Sequence, residues 1–266
     1  MIYIAIMNLQ ERIERYLKRG FQADDAEILV LLEECAAGLF SAFPQHFVLF
    51  GGAPLVLFYD SPRLSRDLEL LAKVESLPAL AEIENAIRNS IQPLAETFGL
   101  GKLEFQTIHA HGDFIKIWVQ ANQRRLFSVD LTRIGGTALR SEEVPNKIAE
   151  SEHKIVITPS GSALLFQKCE TFLDRRIIKS RDAFDIDVLL SRGASLDRNL
   201  RAHLDDFIRM RELDSESIGQ RINRIDVKLC TAELRHVLPD KVFSALAEQE
   251  FKPLRSSLES VFADWV

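Results

Sequence analysis

The sequence predicts an α+β protein in which a mixed β-sheet with flanking helices is followed by an all-helical C-terminal half. The first sign is a pair of short strand-like runs, 47–50 and 67–71, joined by a Gly-Gly turn and a short helix. The second is a set of three strand-like runs between residues 102 and 134. The third is the helical spacing of apolar residues from Ser160 onward.

Two helices are expected before the first strand, over Leu9–Arg19 and from about Ala23 to Ala42. In the second helix, apolar residues recur at the i, i+3, i+4 spacing that places them on one buried face. Pro44 cannot continue this helix. The strand Phe47–Phe50 therefore begins after it.

A further helix is expected after the second strand, opening near Ser76–Pro78 and ending at Gly99–Gly101. Three strands then form an antiparallel meander that extends the sheet: Lys102–His109, Phe114–Ala121 and Leu126–Ile134. A last short strand, Lys154–Ile157, precedes the helical half. That half holds five predicted helices: Ser162–Phe172, Asp182–Leu190, Leu196–Arg211, Ile218–Leu229 and Pro239–Phe262.

The composition indicates a cytoplasmic protein with room for two cores. A chain of 266 residues with 47% hydrophobic content buries one large core or two small ones, and the change of pattern favours domains over 1–158 and 159–266. Three widely spaced cysteines show neither metal-ligand spacing nor a disulfide framework, which fits a reducing cytoplasm. No apolar run is long enough to span a membrane.

The net charge of −6 argues against broad, charge-driven binding to nucleic acid. The most basic short window is DRRIIKSR, residues 174–181, with four cations against one carboxylate. Two interpretations of this window stay open. It is either a solvated helix end or a local contact surface for RNA through Arg175, Arg176 and Lys179.

Three acidic residues fall on strands where their side chains can meet. Asp67 and Glu69 are two residues apart, so they point to the same side of a strand, either as a solvent-facing stripe or as part of a site. Asp130 stands mid-strand in RLFSVDLTRI, where a charge is costly to bury without a partner. If that strand lies beside 67–71, the three carboxylates share one face. They would then repel one another unless a cation neutralises them, and Mg²⁺ suits such an oxygen-rich set.

The Gly51–Gly52 turn would let the backbone approach a phosphate closely, with amide hydrogens of the following helix binding the anion. On its own, a double glycine after a strand is a tight turn in most proteins. Its spacing to Asp67 and Glu69 favours a phosphate site here. Phosphoryl or nucleotidyl transfer needs positive charge and in-line positioning at the reacting phosphate.

A second charged cluster lies in the helical half, within KCETFLDRRIIKSRDAFDID. Lys168 falls on an otherwise apolar helix face, where it either extends to solvent or faces a phosphate. Asp182 and Asp185 follow Arg181 on the next helix. They form either a structural ion pair and cap or part of a binding site.

These motifs resemble the AbiEii/AbiGii-type nucleotidyltransferases. In that family GG-[ST], a helix and S-x-D-[IL]-D-[LF] occur in order, as GGAPLVLFYDSPRLSRDLELL does here. The strand with Asp130 is similar to the family's third acidic position, and the Lys168 helix followed by RDAFDIDVLL resembles its K…RD-x-x-D signature. The resemblance covers roughly residues 45 to 190.

The resemblance implies a nucleotidyltransferase-type sheet, an NTP substrate, Mg²⁺ and a toxin that is encoded beside a protein antitoxin, with tRNA as a possible acceptor. Asp67, Glu69 and Asp130 would then hold the metal, and Asp130 would help to deprotonate the acceptor hydroxyl. The nucleotide would be bound by seven positions: Gly51, Gly52, Ala53, Ser65, Lys168, Asp182 and Asp185. Lys168 would also count among the catalytic residues, by contacting the triphosphate.

This sequence departs from the family pattern at two positions. Ala53 stands where the family has Ser or Thr, which removes one hydrogen bond to phosphate, about 0.5–1.5 kcal/mol net. Glu69 stands where Asp is usual. Three functions stay open. The first is transfer of an NMP to the 3′ end of tRNA, and the acidic net charge keeps open transfer to a small aminoglycoside-like hydroxyl acceptor. The departures at Ala53 and Glu69 keep open a catalytically weakened module that binds nucleotide or a partner.

Overall fold

A computed structural model describes residues 2–73, 77–111, 113–133, 143–147 and 154–266. The chain divides into two compact units. The first comprises residues 1–60 and 64–159, and the second comprises residues 61–63 and 160–266. Within the described ranges, no helix combines the length and the apolar character that a membrane crossing needs.

The first unit is built on a five-stranded mixed sheet. Its strands are β1 (Phe47–Phe50), β2 (Asp67–Ala72), β3 (Glu104–His111), β4 (Phe114–Ala121) and β5 (Arg124–Arg133). Their order is β1-β2-β5-β4-β3, and every neighbouring pair is antiparallel except β2 and β5, which are parallel. The predicted α+β fold is confirmed, and the meander β3-β4-β5 joins the first two strands through β5.

Among the described residues, four helices and a small antiparallel strand pair complete the first unit. The helices are α1 (Ile2–Lys18), α2 (Ala23–Ala42), α3 (Ala53–Phe58) and α4 (Leu80–Thr97). The strands β6 (Glu143–Lys147) and β7 (Ile155–Pro159) pair antiparallel, and β6 was not predicted. Ser76 and Ile134, predicted to begin a helix and to end a strand, lie outside the described residues.

The two faces of the five-stranded sheet differ in chemistry because side chains alternate along each strand. On one face, Leu68, Leu70, Val129 and Leu131 are fully buried in a core shared with α2 and α4. The intervening residues of β2, β5 and β4 therefore point to the opposite face. That face carries the predicted carboxylates.

The second unit contains seven helices within the described chain. They are α5 (Gly161–Asp174), α6 (Ser180–Ser191), α7 (Arg198–Met210), α8 (Ser215–Asn223), α9 (Val227–Leu234), α10 (Asp240–Glu248) and α11 (Lys252–Val261). Several begin with a side-chain cap: Ser160, Asp197, Asp214 and Asp226 each accept a backbone N–H from the first turn.

Two of the predicted helices are divided in the structure. The predicted Ile218–Leu229 helix becomes α8 and α9, because the Asp226 carboxylate accepts the N–H of Leu229 at 2.7 Å and starts a new helix. The predicted Pro239–Phe262 helix becomes α10 and α11. There, Glu250 and Phe251 have φ of 53° and 55°, which ends a right-handed helix.

Candidate active site

Strand register places the three predicted carboxylates in two rows across the sheet. Glu69 on β2 is opposite Asp130 on β5, which is opposite Lys116 on β4. Asp67 is opposite Ser128, which is opposite Trp118. We call the side of the sheet that carries these six residues the polar face. The sequence argument required β5 to lie beside β2, and this is the arrangement found.

Ser128 connects two of the carboxylates. Its hydroxyl oxygen lies 2.9 Å from Asp67 Oδ1 and 2.8 Å from Asp130 Oδ1, and its side chain is fully buried. A hydroxyl has one proton to donate, so it satisfies only one of these two oxygens at a time. The two carboxylate oxygens therefore lie close together and share the one proton that this hydroxyl can donate.

Lys116 places an ammonium on the polar face. Its Nζ donates to Asp130 Oδ2 at 2.6 Å and to the Ser128 hydroxyl at 3.3 Å. The ammonium also lies 5.1 Å from the centre of the Trp118 ring, within the range of a cation–π contact. Asp130 thus faces the ammonium with one oxygen and the serine with the other.

Glu69 lies against the glycine turn. A Cβ added at Gly51 would come within 2.3 Å of Glu69 Oε2, and Gly51 has a left-handed φ of +79°. The glycine therefore leaves the space that the Glu69 carboxylate fills. Gly52 precedes α3, whose first residue, Ala53, is fully buried, and Ser65 is almost fully buried.

Lys168, in the second unit, takes part in a buried ion cluster. Asp185 on α6 is fully buried and receives both Arg63 Nε at 2.7 Å and Arg63 Nη2 at 2.9 Å. Lys168 Nζ lies 2.7 Å from the Oδ2 atom of the same carboxylate. Burial acts to raise the pKa of Asp185, but the charges and hydrogen bonds of Arg63 and Lys168 outweigh it and hold that pKa below its usual range.

The basic window 174–181 is partly committed to ion pairs. Arg175 donates to Asp182, which is almost fully buried, and Lys179 donates to Glu233 at 2.8 Å. Arg176 is exposed. Of the three residues predicted to contact RNA, two therefore already have carboxylate partners.

The comparisons with known proteins agree with this fold and these motifs. Residues 36–265 match the AbiEii family, described as a nucleotidyl transferase toxin of a type IV toxin–antitoxin system. This chain belongs to the AbiEii family. The resemblance of the motifs is thereby confirmed, and the match extends through the helical half.

Solved structures provide a separate comparison. A candidate nucleotidyltransferase from H. pylori aligns over 92% of this AbiEii chain and 97% of its own, at 17% identity and a TM-score of 0.56. At that identity the likeness shows the fold. MenT4, a nucleotidyltransferase toxin of Mycobacterium tuberculosis, aligns over 92% and 89% of the two chains, at 16% identity and a TM-score of 0.49. No curated protein matches the sequence.

The residues on the polar face of this AbiEii protein fit a magnesium ion held by two carboxylates. Mg²⁺ is commonly bound by one or two carboxylates, with waters and substrate phosphates completing its shell. Asp67 and Asp130 offer such a pair. Because the Ser128 hydroxyl can donate its one proton to only one of their two Oδ1 atoms at a time, the other Oδ1 atom is available to a cation. Across the described parts of the chain, no three or more His, Cys, Asp or Glu side chains form a ready ligand group. The Glu69 carboxylate therefore does not form such a group with Asp67 and Asp130.

Sequence reasoning missed three residues of these clusters. Ser128 could have been found, because it stands two residues before Asp130 and so shares its face. Lys116 depends on the register between β4 and β5. Arg63 lies in a loop 122 positions from Asp185, and no periodicity connects the two.

Replacing Gly51 with Ala should destabilise the protein more than the same change at Gly101. Both glycines are left-handed, at +79° and +70°, and this conformation alone costs an alanine about 1–2 kcal/mol. Only at Gly51 does the new methyl group also collide with Glu69; at Gly101 nothing lies within 4 Å. We expect urea unfolding to show an additional loss of about 0.5–1.5 kcal/mol at Gly51, because the end of the Glu69 side chain must leave its present rotamer. Equal losses at the two sites would contradict the packing of Glu69 against the turn.

Proposed function

We propose that this AbiEii-family chain is a Mg²⁺-dependent nucleotidyltransferase that moves an NMP from an NTP to a hydroxyl acceptor, as the toxin of a toxin–antitoxin pair. Family membership supports the nucleotidyltransferase toxin class and, with it, a nucleotide substrate and an antitoxin partner. The observation that carries the chemistry is the pair of carboxylates, Asp67 and Asp130, that meet at one hydroxyl on the polar face.

Asp67 and Asp130 would hold the ion, and Glu69 would join them from the side of the Gly51 turn. Bound magnesium supplies positive charge to phosphate oxygens and makes an attacking hydroxyl more acidic. The acceptor oxygen forms a bond to the α-phosphorus of the NTP. The bond between that phosphorus and the oxygen that bridges it to the β-phosphorus breaks, and pyrophosphate leaves with this oxygen. The hydroxyl proton passes to Asp130 or to water.

Lys168 in the second unit and the backbone of Gly51 and Gly52 in the first unit are each proposed to contact phosphate. Lys168 Nζ lies 2.7 Å from the buried Asp185 carboxylate, and its side chain is 12% exposed. An ammonium group makes strong, charge-assisted hydrogen bonds to phosphate oxygens. Asp182 and Asp185 are proposed to orient the basic side chains that they contact.

The acceptor is proposed to be the 3′ end of an RNA such as tRNA. Arg175, Arg176 and Lys179 are proposed to contact this RNA. One observation favours a small hydroxylated acceptor instead. Arg175 and Lys179 are paired with Asp182 and Glu233, which leaves less free positive charge for a phosphate backbone. The aminoglycoside-like acceptor is therefore the second candidate within the same chemistry.

The test is transfer of α-³²P label from each of the four NTPs, with Mg²⁺, into total bacterial RNA and, in parallel, into an aminoglycoside mixture. We expect label in RNA with one preferred NTP, and loss of the label when EDTA is added. Label only in the small molecules would replace the RNA acceptor by the second candidate. Binding of NTP without any transfer would contradict the proposal that the protein is an enzyme. It would support the third function, a module that binds nucleotide without catalysis.

A further inference from the structure

Trp118 and Arg125 form a contact beside the proposed metal ligands. Trp118 is opposite Ser128 in the register of β4 and β5, so it stands two strands away from Asp67. The guanidinium carbon of Arg125 lies 4.9 Å from the centre of the Trp118 ring, and Lys116 Nζ lies 5.1 Å from the same point. Both distances are within the range of a cation–π contact. An aromatic ring with two cations against it therefore lies next to the carboxylates.

Hydrogen bonds within the described residues do not account for this arrangement. The Nε1–H group of Trp118 is buried and has no acceptor among them, although a buried indole usually finds one. Arg125 is exposed and has no carboxylate partner in the described part of the chain, whereas its neighbour Arg124 pairs with Asp24 at 3.0 Å. The N–H groups of Arg125 are thus left to solvent or to a ligand.

The strand order places this pair on the side of the carboxylates that is remote from the glycine turn. The sheet runs β1-β2-β5-β4-β3, and the Gly51–Gly52 turn follows β1, whereas Trp118 stands on β4. In phosphoryl transfer the attacking and leaving oxygens lie roughly in line, on opposite sides of the phosphorus. With the triphosphate at the glycine turn, where it is proposed to bind, the acceptor hydroxyl approaches from the side of β5 and β4. Trp118 and Arg125 are on that side.

The chemistry of the pair fits a nucleotide. Nucleobases stack on aromatic rings and on guanidinium planes, and a guanidinium also donates to phosphate oxygens. A small aminoglycoside-like acceptor has neither an aromatic ring nor a phosphate, so it would leave both features unused. Trp118 stands about 10 Å from Asp67, across two strand spacings. A nucleotide can span that distance from its ribose hydroxyl to its base.

We infer that Trp118 and Arg125 bind the terminal nucleotide of the acceptor RNA, with its base packed against the pair and its phosphate on the Arg125 guanidinium. This inference rests on the proposed function, because it takes an RNA 3′ end as the acceptor and the glycine turn as the site of the triphosphate. The competing arrangement places the base of the incoming NTP against Trp118.

The first experiment follows the fluorescence of Trp118 while the protein is titrated with bulk bacterial tRNA in the absence of NTP. Trp265, in the second unit, is the other tryptophan of the chain, so Trp265→Phe leaves Trp118 as the single reporter. We expect tRNA to quench this fluorescence, because a base stacks against the ring, and an aminoglycoside mixture to leave it unchanged. Failure of tRNA to quench it would overturn the inference. Quenching by an NTP alone would also overturn it, in favour of the incoming base.

The second experiment measures tRNA binding by variants that keep Trp265. We expect Trp118→Leu and Arg125→Met each to weaken binding about tenfold, and Trp118→Phe, which keeps an aromatic ring, to stay within about threefold of the wild type. The loss of one phosphate contact in Arg125→Met should also reduce the salt dependence of binding, lowering the slope of log K against log salt by about one.

Arg124→Met is the matched control for Arg125→Met. It removes the same charge from the preceding residue of β5, where the side chain is already paired with Asp24. We expect the control to bind tRNA within about twofold of the wild type. Equal losses in the two arginine variants would overturn the inference, and so would wild-type affinity in Arg125→Met. The arginine variants keep the test decisive if Trp118→Leu does not fold.

These outcomes are separate from those of the transfer assay, because binding is read without NTP. Weaker tRNA binding in Trp118→Leu and Arg125→Met, with no transfer by the wild type, would support the contact and contradict the proposed reaction. In an active enzyme we expect both variants to raise the KM for RNA and to leave the KM for NTP unchanged. Transfer to RNA with an unchanged KM for RNA in both variants would overturn the inference and leave the reaction supported.

Discussion

Replacing Asp67 with Asn should lower the rate of NMP transfer by about a thousandfold while leaving the fold intact. Asparagine has the shape of aspartate and keeps an oxygen that can accept from the Ser128 hydroxyl, which lies 2.9 Å from Asp67 Oδ1. What it loses is the negative charge that would bind the cation. Because the neighbouring Asp130 and Glu69 carboxylates repel Asp67, the free energy of unfolding should stay the same or increase slightly.

The measurement is initial rates of label transfer at saturating Mg²⁺, together with thermal unfolding of each variant. Asp24→Asn is the matched control, since Asp24 is a 69% exposed carboxylate of the same unit that pairs with Arg124 on the surface. We expect this control to stay within about twofold of the wild-type rate, since exposed ion pairs contribute little. An Asp67→Asn protein that keeps more than a tenth of the wild-type rate would show that the reaction does not need this carboxylate.

The polar face was predictable to the extent that it depends on local geometry. Alternation along a strand places Asp67 and Glu69 together whatever the partner strand is. The same rule predicts on which side of its own strand Asp130 lies, but it does not predict which strand pairs with that strand. The pairing of β5 with β2 depends on the order of strands in the sheet. From the sequence, the meeting of Asp130 with Asp67 and Glu69 could be predicted only on the condition that these two strands pair.

What the sequence could not show is set by register and long-range pairing. Lys116 meets Asp130 because β4 and β5 pair in one register, and a shift by one residue would turn the lysine to the core. The carboxylate of Glu69 lies against Gly51 because β1 and β2 pair with Phe50 opposite Glu69. The break before α11 is similarly hidden, because Glu250 and Phe251 adopt left-handed backbones without a glycine to mark them.

Replacing Asp185 with Asn should destabilise the helical unit by about 3–5 kcal/mol, the usual cost of removing one partner from a buried ion pair. Asp185 is fully buried, and the Arg63 and Lys168 side chains are 8% and 12% exposed. Without the carboxylate, two nearly buried cations face a neutral amide. Part of the loss should return in the Asp185→Asn, Lys168→Met double variant, because the charge of Lys168 no longer faces the neutral amide.

The matched control is Asp187→Asn on the same helix. Asp187 accepts a hydrogen bond from Ser257 at 2.6 Å, and an amide oxygen can still accept that bond. We therefore expect a loss below about 1.5 kcal/mol in urea unfolding followed by far-UV circular dichroism. Equal losses in the two variants would mean that the Asp185 cluster is no more costly to disrupt than an ordinary hydrogen bond.

The effect of Asp185→Asn should also depend on pH in a defined direction. The pKa of Asp185 in the folded protein is held below that of an unfolded aspartate, which is about 3.9. The stabilisation from its charge is therefore fully present above that value and is lost as the pH falls through the folded pKa. The difference in unfolding free energy between wild type and Asp185→Asn should be constant from about pH 7 to pH 5 and should shrink below about pH 4. A difference that grew on acidification would require a raised pKa, and with it a carboxyl group that Arg63 and Lys168 do not stabilise in its charged form.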